Sequence, residues 1–327
     1  MVDNRLEPIS QIAGHYHVKA DKLRRHYKKY TSGFKQWNQL EHCEDYLLYP
    51  DNIGEHLSID EVSLSKGELY TFVTNKAAKS KKESLVASIK GTRSQDIANI
   101  LNKISEQKRA VVKDITMDMA NNMGLAVKNC FPQAKLIIDR FHVVKLIEES
   151  LQIMRTTARR KAIDEENKLV IEAKHKGLKY LPKEYENGDS AKQLLARCRY
   201  VIAKKPDEWT ENQKLRAEIL FKNHPQIQHA YHIVLEFRNI YKQTHRVLAQ
   251  DMFLKWIDKI FEQKLTLFYT AANSVKCHLN NILNFFNDRL TNANAESFNA
   301  KVKLFRANLR GVTDNAFFLF RLHNFFS

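Results

Sequence analysis

The order of strand-like and helix-like patterns between residues 56 and 139 constrains the fold of this chain more than any other feature. Three strand-like runs come first, and a helix, a strand, a helix and a strand follow: His56–Asp60, Glu68–Thr74, Glu83–Ile89, Ser94–Ile104, Ala110–Met117, Ala120–Phe131 and Ala134–Ile138. The strand-like runs are rich in β-branched and aromatic residues, whereas the first helical run places Ile and Leu at helical spacing. The pattern predicts a mixed α/β sheet with helices on its faces.

The rest of the chain is helical in pattern. Residues 143–287 show long helical periodicity and dense charge without a convincing strand, and nine Gly and six Pro in 327 residues indicate few tight turns. We therefore predict four parts: a helical N-terminal region at 1–50, the first part of the core at 51–142, an all-helical insertion at 143–287, and C-terminal helices at 288–327 that complete the core. The strand order of this core is that of a ribonuclease-H-like fold.

Residues 8–30 are predicted to form two short helices joined by a turn. Ile9, Ile12 and Ala13 would line the inner face of the first helix, and Leu23 that of the second. The second helix and its ends are basic, with Lys19, Lys22, Arg24, Arg25 and Lys28. One interpretation is a helix-turn-helix that contacts DNA phosphates or a major groove. The other is a solvated basic helix pair packed on the main domain.

Three acids stand in positions that suit metal ligands. Asp60 and Asp118 each follow an apolar, β-branched run, and Glu296 lies on a late predicted helix in the segment Asn294–Lys303. Mg²⁺ takes oxygen ligands, commonly one or two carboxylates together with a substrate phosphate. The three acids therefore indicate metal-dependent chemistry on a phosphodiester.

Two of these positions have a competing acid nearby. Glu61 adjoins Asp60, and since side chains alternate across a strand, only one of the two can face a given site. Asp114 would share a strand face with Asp118, which lies nearer the mouth of the sheet. From spacing alone, each of these acids can be either an ordinary structural residue or a metal ligand.

The charge of the chain points to a polyanionic partner. Lys and Arg number 53 against 37 Asp and Glu, a formal net charge of +16. Nucleic acid is the commonest partner of such proteins, although a merely basic soluble protein has the same composition.

Cysteine spacing and hydropathy exclude several other classes. Cys43, Cys130, Cys198 and Cys277 lie far apart, so neither a zinc ribbon nor a disulfide framework is predicted. No apolar run approaches the length of a membrane span, and the N-terminus lacks the apolar core of a signal peptide. We expect a cytoplasmic protein.

The motifs occur in the order Asp60, Asp118, Asp139-Arg140-Phe141-His142 and Glu296, with a long gap before the last. In this order and with their neighbours, they resemble the DDE transposases of bacterial insertion sequences, specifically the ISL-three-like family. The resemblance covers most of the chain. It departs from many relatives at Ala295 and Ser297, and many relatives also have a longer N-terminal region with a zinc-binding motif.

The resemblance implies roles for particular residues. Asp60, Asp118 and Glu296 would be catalytic and would hold two Mg²⁺ or Mn²⁺ ions. Asp139, His142 and Asn299 would support them, with a purely structural role equally open for His142. Charge and position, rather than the resemblance, predict DNA contact by seven basic residues: Lys22, Arg24, Arg25, Arg140, Lys145, Lys301 and Lys303.

The resemblance also implies an activity and partners. The protein would hydrolyse DNA at the terminal repeats of its element and join the freed ends to target DNA, near the bacterial nucleoid. Partners would be these DNAs, further copies of the chain and a separately encoded N-terminal partner. Two alternatives use the same residues: a ribonuclease-H-like nuclease or resolvase without strand transfer, and an inactive, domesticated DNA-binding protein.

Overall fold

The structure is a computed structural model that describes residues 7–65, 67–289, 291–309, 312 and 314–327. The chain divides into two compact units, one of Met1–Asp139 with Asn287–Ser327 and one of Arg140–Phe286. The predicted insertion at 143–287 lies within the second unit except for its last residue. The division into four parts stays a prediction.

The first unit is built on a six-stranded sheet with the order β1-β4-β3-β2-β5-β6. Its strands are β1 (Tyr46–Leu48), β2 (His56–Ser65), β3 (Glu68–Asn75), β4 (Leu85–Lys90), β5 (Asp114–Met117) and β6 (Lys135–Ile138). Strand β2 is central, antiparallel to β3 and parallel to β5. This mixed sheet confirms the predicted ribonuclease-H-like fold.

The end of β2 and the start of β5 differ from the prediction, and one further strand was not predicted. Strand β2 continues to Ser65, so Asp60 lies in the middle of the strand and not at its end. It continues because Val62 and Ser63 still pair with β3, and Val62 is buried. Strand β5 begins only at Asp114, because Ser105 caps a short helix, Glu106–Arg109, and the backbone N–H groups of Ala110 and Val112 still bond back to that helix. Strand β1 was not predicted. The predicted hairpin turn falls partly on Lys66, which lies outside the described residues.

Seven helices of the first unit surround this sheet: α1 (Ile9–His15), α2 (Ala20–His26), α3 (Ser94–Leu101), α4 (Glu106–Arg109), α5 (Asn121–Cys130), α14 (Ala293–Asn308) and α15 (Asn315–Phe326). Even-numbered residues of β2 such as Val62 and Leu64 point to one face, where they join an apolar cluster with Val302 of α14 and Phe318 of α15. The Phe-rich end of the chain is therefore mostly buried within the unit. This packing fixes α14 over the central strand.

The two N-terminal helices form as predicted and pack on this same cluster. Ile9 and Ile12 of α1 are buried in it, and Leu23 of α2 is partly buried against it. The turn between the helices contains His17 with φ of 53°. The helix pair thus packs on the first unit, as the second interpretation predicts. Binding of α2 in a DNA groove stays a prediction.

The second unit is helical. Its helices are α6 (Arg140–His175), α7 (Ala191–Arg197), α8 (Glu211–Asn223), α9 (Pro225–Ile240), α10 (Arg246–Glu262), α11 (Tyr269–Cys277) and α12 (Leu279–Leu283), while α13 (Phe285–Asp288) spans the unit boundary. Its core includes Ile147 of α6, Phe237 of α9 and Phe253 of α10. Within the described parts of the chain, no helix is long and apolar enough to cross a membrane.

Candidate active site on strands β2 and β5

The register of the sheet predicts that two acids lie near each other. Parallel strands β2 and β5 pair His56 with Asp114, Leu57 with Ile115 and Ser58 with Thr116. Strand β5 ends at Met117, and the same offset extended by two residues would bring Asp60 opposite Asp118. Adjacent strands lie about 4.8 Å apart, so both carboxylates can reach one bound cation. Asp118 comes directly after β5, as predicted.

Helix α14 holds the Asp60 carboxylate from the other side. Asn299 donates from Nδ2 to Oδ2 of Asp60 at 2.6 Å, and the backbone N–H of Glu61 donates to Oδ1 at 2.8 Å. Further along the helix, Arg306 donates to the carbonyl of Ser63 at 2.7 Å. Helix α14 is thus bound to β2 by polar contacts as well as by its apolar face.

Glu296 lies one turn before Asn299 on α14 and is exposed to solvent. Residues three and four apart share a helix face, so Glu296, Asn299 and Lys303 lie along one stripe of α14. Among the described residues, however, no group of three or more acidic, His or Cys side chains is close enough to hold a metal ion. Convergence of Asp60, Asp118 and Glu296 on one site therefore stays a prediction.

Glu61 is an acid near the candidate site that was not predicted to be a metal ligand. Burial raises its pKa, and the nearby carboxylates of Asp118 and Asp60 raise it further. Glu61 therefore lies in the electrostatic field of both predicted ligands, although strand alternation turns it away from the face of Asp60. The feature of the sequence that could have identified Glu61 as a site residue was its position next to Asp60.

Asp118 and Asp114 have different surroundings. Oδ1 of Asp118 accepts the backbone N–H of Ala120 at 2.9 Å, at the start of α5, and its side chain is half-buried. Asp114 is buried between His56 and the ammonium of Lys76, which also donates to Thr116. Asp114 is thus held in a buried ionic network, while Asp118 keeps access to solvent.

The predicted supporting residues Asp139 and His142 follow strand β6. Asp139 is 2% exposed, and its backbone N–H donates to the carbonyl of Met117 at 2.8 Å. Burial lowers the pKa of Lys76, and the carboxylates of Asp114 and Asp139 oppose that change. His142 lies in the first turn of α6, half-buried, with its ring 5.5 Å from that of Phe141. Their supporting roles stay predictions.

The basic residues predicted to contact DNA lie in both units. Lys22, Arg24 and Arg25 are exposed on α2, and Lys303 is exposed on α14. Lys301 donates to the carbonyl of Ser80 at 2.6 Å, so it already has a partner in the folded chain. In each case DNA contact stays a prediction.

Two further predicted contacts lie on α6 in the second unit. The guanidinium of Arg140 lies 5.7 Å from the ring centre of Phe285, and Lys145 is 4.0 Å from Glu149 one turn later. Both side chains are exposed. They remain available to a phosphate, because exposed ion pairs of this kind contribute little.

The donors around Asp60 suit a hard divalent cation. Asp60 and Asp118 offer carboxylate oxygens, which Mg²⁺ and Mn²⁺ prefer. The Asn299 Oδ1 atom is a buried acceptor that has no hydrogen-bond partner among the described residues. The chemistry of the residues present therefore fits a cation at Asp60 and Asp118.

The fold and the paired carboxylates define a ribonuclease-H-like protein with a candidate metal site. A model of the ISL3 family of DDE transposases matches residues 57–322, so the chain belongs to that family. It is 20% identical to the transposase of insertion sequence element IS1001 from Bordetella parapertussis, over 82% of this chain and 60% of that protein. It is 23% identical to the transposase of IS1557 from Mycobacterium tuberculosis, over 76% of this chain. The chain spans 54% of that second relative.

Proposed function

We propose that this chain is a DNA transposase of a bacterial insertion sequence that breaks and joins phosphodiester bonds at a metal-dependent acidic site. The observation that carries this proposal is the β2–β5 register, which pairs Ser58 with Thr116 and, extended by two residues, predicts Asp60 opposite Asp118. Membership of the transposase family supports the same reading. DNA as substrate is further supported by the net charge of +16.

The residues of the chain have separable tasks in this proposal. Asp60 and Asp118 hold the cation, and Asn299 fixes the direction of the Asp60 carboxylate through the hydrogen bond at 2.6 Å. Helix α14 presents Glu296 one turn away as the third acid. Bound Mg²⁺ or Mn²⁺, as two ions, would supply charge stabilisation to the entering and leaving oxygens of an in-line displacement.

The same site serves two successive displacements. In the first, a water oxygen attacks the phosphorus at the element end, and the departing 3′ oxygen of the DNA takes up a proton. In the second, that 3′-hydroxyl attacks a phosphodiester of target DNA and displaces another 3′ oxygen. Each step exchanges one P–O bond for another, so no covalent intermediate with the protein is needed.

The test is cleavage and joining of a labelled duplex that carries the terminal repeat flanking this gene, with Mg²⁺ or Mn²⁺. We expect the wild-type chain to give both products and Asp60→Asn, Asp118→Asn and Glu296→Gln to give neither while still binding DNA. Asp51→Asn is the matched control, because the Asp51 side chain is 91% exposed in the same unit. Retained cleavage in Asp60→Asn or Asp118→Asn contradicts the proposal.

The variant Glu61→Gln decides the identity of the third acid. If Glu296→Gln cleaves normally and Glu61→Gln does not, the third acid is Glu61. Cleavage without joining of pre-cut ends identifies a nuclease or resolvase instead. Metal-independent DNA binding without cleavage identifies an inactive binding protein. Assembly with further copies or with a separately encoded partner stays a prediction, which cross-linking on the same duplex can test.

A further inference from the structure

The turn between β3 and β4 has a strained backbone. It runs from Lys76 to Ser84, and we call it the basic turn. Lys79, Ser80 and Glu83 all have left-handed backbone conformations, with φ of 51°, 57° and 66°. Non-glycine residues rarely adopt this conformation, and they keep it where the surrounding structure holds them. The surroundings must therefore hold this turn in place.

What holds it is the first half of α14. The Ser80 hydroxyl donates to the carbonyl of Asn294 at 2.6 Å, and the Asn294 amide donates to the carbonyl of Lys76 at 3.0 Å. Lys301 then donates to the carbonyl of Ser80 at 2.6 Å. These contacts lie on both sides of Glu296 along the helix. Since a helix rises 1.5 Å per residue, Asn294 is about 3 Å along the axis from Glu296.

The opposite edge of the basic turn is cationic and open to solvent. Ser80 is 2% exposed, but Lys79, Lys81 and Lys82 are exposed. None of these three lysines belongs to an ion pair between residues that the structure describes. The acid within the turn is Glu83, so the turn keeps a net positive charge beside the helix that carries Glu296.

We propose that the basic turn binds backbone phosphates of the DNA next to the phosphodiester that reacts, through Lys79, Lys81 and Lys82. This inference rests on the proposed function, because it takes the DNA substrate from it. Free lysine ammoniums on a fixed backbone attract phosphates without reading sequence. The turn thus couples substrate to α14: DNA lies on one edge of the turn and the helix with Glu296 is bound to the other.

The test compares the triple variant Lys79→Gln, Lys81→Gln, Lys82→Gln with a control triple of equal charge change in the second unit. The control is Lys174→Gln, Lys176→Gln, Lys179→Gln, all of them exposed. Affinity for a labelled duplex is measured by anisotropy across a range of salt concentrations. The slope of log K against log salt is negative, and each lost phosphate contact reduces its magnitude by about 0.9, so we expect the magnitude of the slope to fall by about 2–3.

The expected loss is the same for terminal-repeat and scrambled duplexes, and the control triple leaves the slope unchanged. An unchanged slope in the basic-turn triple, or an equal fall in the control, overturns the inference while wild-type cleavage leaves the proposed function standing. A wild-type chain that neither binds nor cleaves DNA overturns the proposed function and this inference with it.

A second measurement locates the DNA independently of affinity. Lys81→Cys is made in a Cys277→Ser background, because Cys277 is the exposed cysteine among the four. A photo-crosslinker on Cys at position 81 is expected to mark the DNA within a few nucleotides of the cleavage position, and the same label at position 176 is not. Absence of crosslinks above that control overturns the inference.

Discussion

A single side-chain amide joins the two parts of the candidate site. Asn299 and Asp60 are far apart in sequence, and their hydrogen bond of 2.6 Å ties α14 to the central strand. Asn299 is 5% exposed, so water does not compete for its donor. We therefore propose Asn299 as a positioning residue, which would set the direction of the Asp60 carboxylate without touching the reacting atoms.

Asn299→Ala is expected to slow metal-dependent cleavage by about 10–100-fold, because a hydrogen bond to a charged group contributes about 1.5–3 kcal/mol. Asn299→Asp is expected to be slower still, since it places a second negative charge beside Asp60. The measurement is cleavage rate against Mg²⁺ concentration, which Asn299→Ala should shift to higher values. Asn52→Ala is the control: it removes a half-buried amide donor to the carbonyl of Leu85, away from α14, and should leave that dependence unchanged. A Mg²⁺ dependence in Asn299→Ala equal to that of the wild type would show a purely structural role.

Tyr231 gives a residue-scale test of the second unit. Its hydroxyl donates to the carbonyl of Lys204 at 2.7 Å, and burial raises the pKa of Tyr231 to about 12. The folded pKa is above the unfolded one near 10, so this stabilisation is complete below pH 10 and is lost as pH rises towards 12.

Tyr231→Phe is expected to lower the free energy of unfolding by about 1 kcal/mol at pH 7, because the Lys204 carbonyl loses its donor. Between pH 10 and pH 12 its stability should fall less steeply than that of the wild type, so the two curves converge. Urea unfolding at a series of pH values measures this. Tyr200→Phe is the control, because Tyr200 is 66% exposed. Parallel curves for wild type and Tyr231→Phe above pH 10 would contradict the account.

Helix α14 and the basic turn act together at the scale of elements. The helix is bound along its length by Ser80, Asp60 and the carbonyl of Ser63. Its apolar face is buried through Phe298, Val302 and Phe305. Apolar packing holds the helix on the sheet, and the polar contacts set its position along the strand, which decides where Glu296 lies.

Ser80→Ala removes the donor to the Asn294 carbonyl and is expected to loosen the first turns of α14. Hydrogen exchange should become faster in residues 293–300 and stay unchanged in α3. Cleavage should fall with this loosening, while DNA affinity and its salt slope should not change, since the lysines of the basic turn remain. Ser297→Ala, at an exposed position on the same helix, is the matched control. Equal exchange in Ser80→Ala and wild type would refute this role.

The strands show which parts of the fold can be predicted from sequence patterns. The order of the strands and helices and the runs of β-branched and aromatic residues are local properties of the sequence, and they predict the sheet. The end of β2 was missed because Glu61 and Ser63 read as polar, whereas pairing with β3 extends the strand. The start of β5 was missed because Val111 and Val112 favour a strand, although they follow a capped helix.

Only part of the candidate site can be predicted from local sequence patterns. Strand positions and family resemblance predict Asp60 and Asp118 as neighbours, because parallel pairing of adjacent strands aligns residues at a fixed offset. The hydrogen bond from Asn299 to Asp60 and the hydrogen bond from Ser80 to α14 depend on how a distant helix packs. No spacing in the sequence predicts them. The electrostatic coupling of Glu61 to Asp118 likewise appears only once β2 and β5 are paired.

The whole molecule combines a compact sheet unit with a helical unit inserted in its sequence. The last acid lies after the insertion, so the candidate site requires segments from both sides of it. A net charge of +16 favours a polyanionic substrate for the chain as a whole. The central claim is that Asp60 and Asp118 hold the cation that acts on DNA.

A change of metal preference tests that claim most directly. A Cys thiolate is a softer ligand than a carboxylate, so Asp60→Cys and Asp118→Cys should lose cleavage with Mg²⁺ and regain part of it with Mn²⁺. The wild-type chain and the exposed-site control Asp51→Cys should cleave with either ion. If Asp60→Cys and Asp118→Cys cleave with Mg²⁺ as well as the wild type does, these residues do not hold the catalytic ion and the account is wrong.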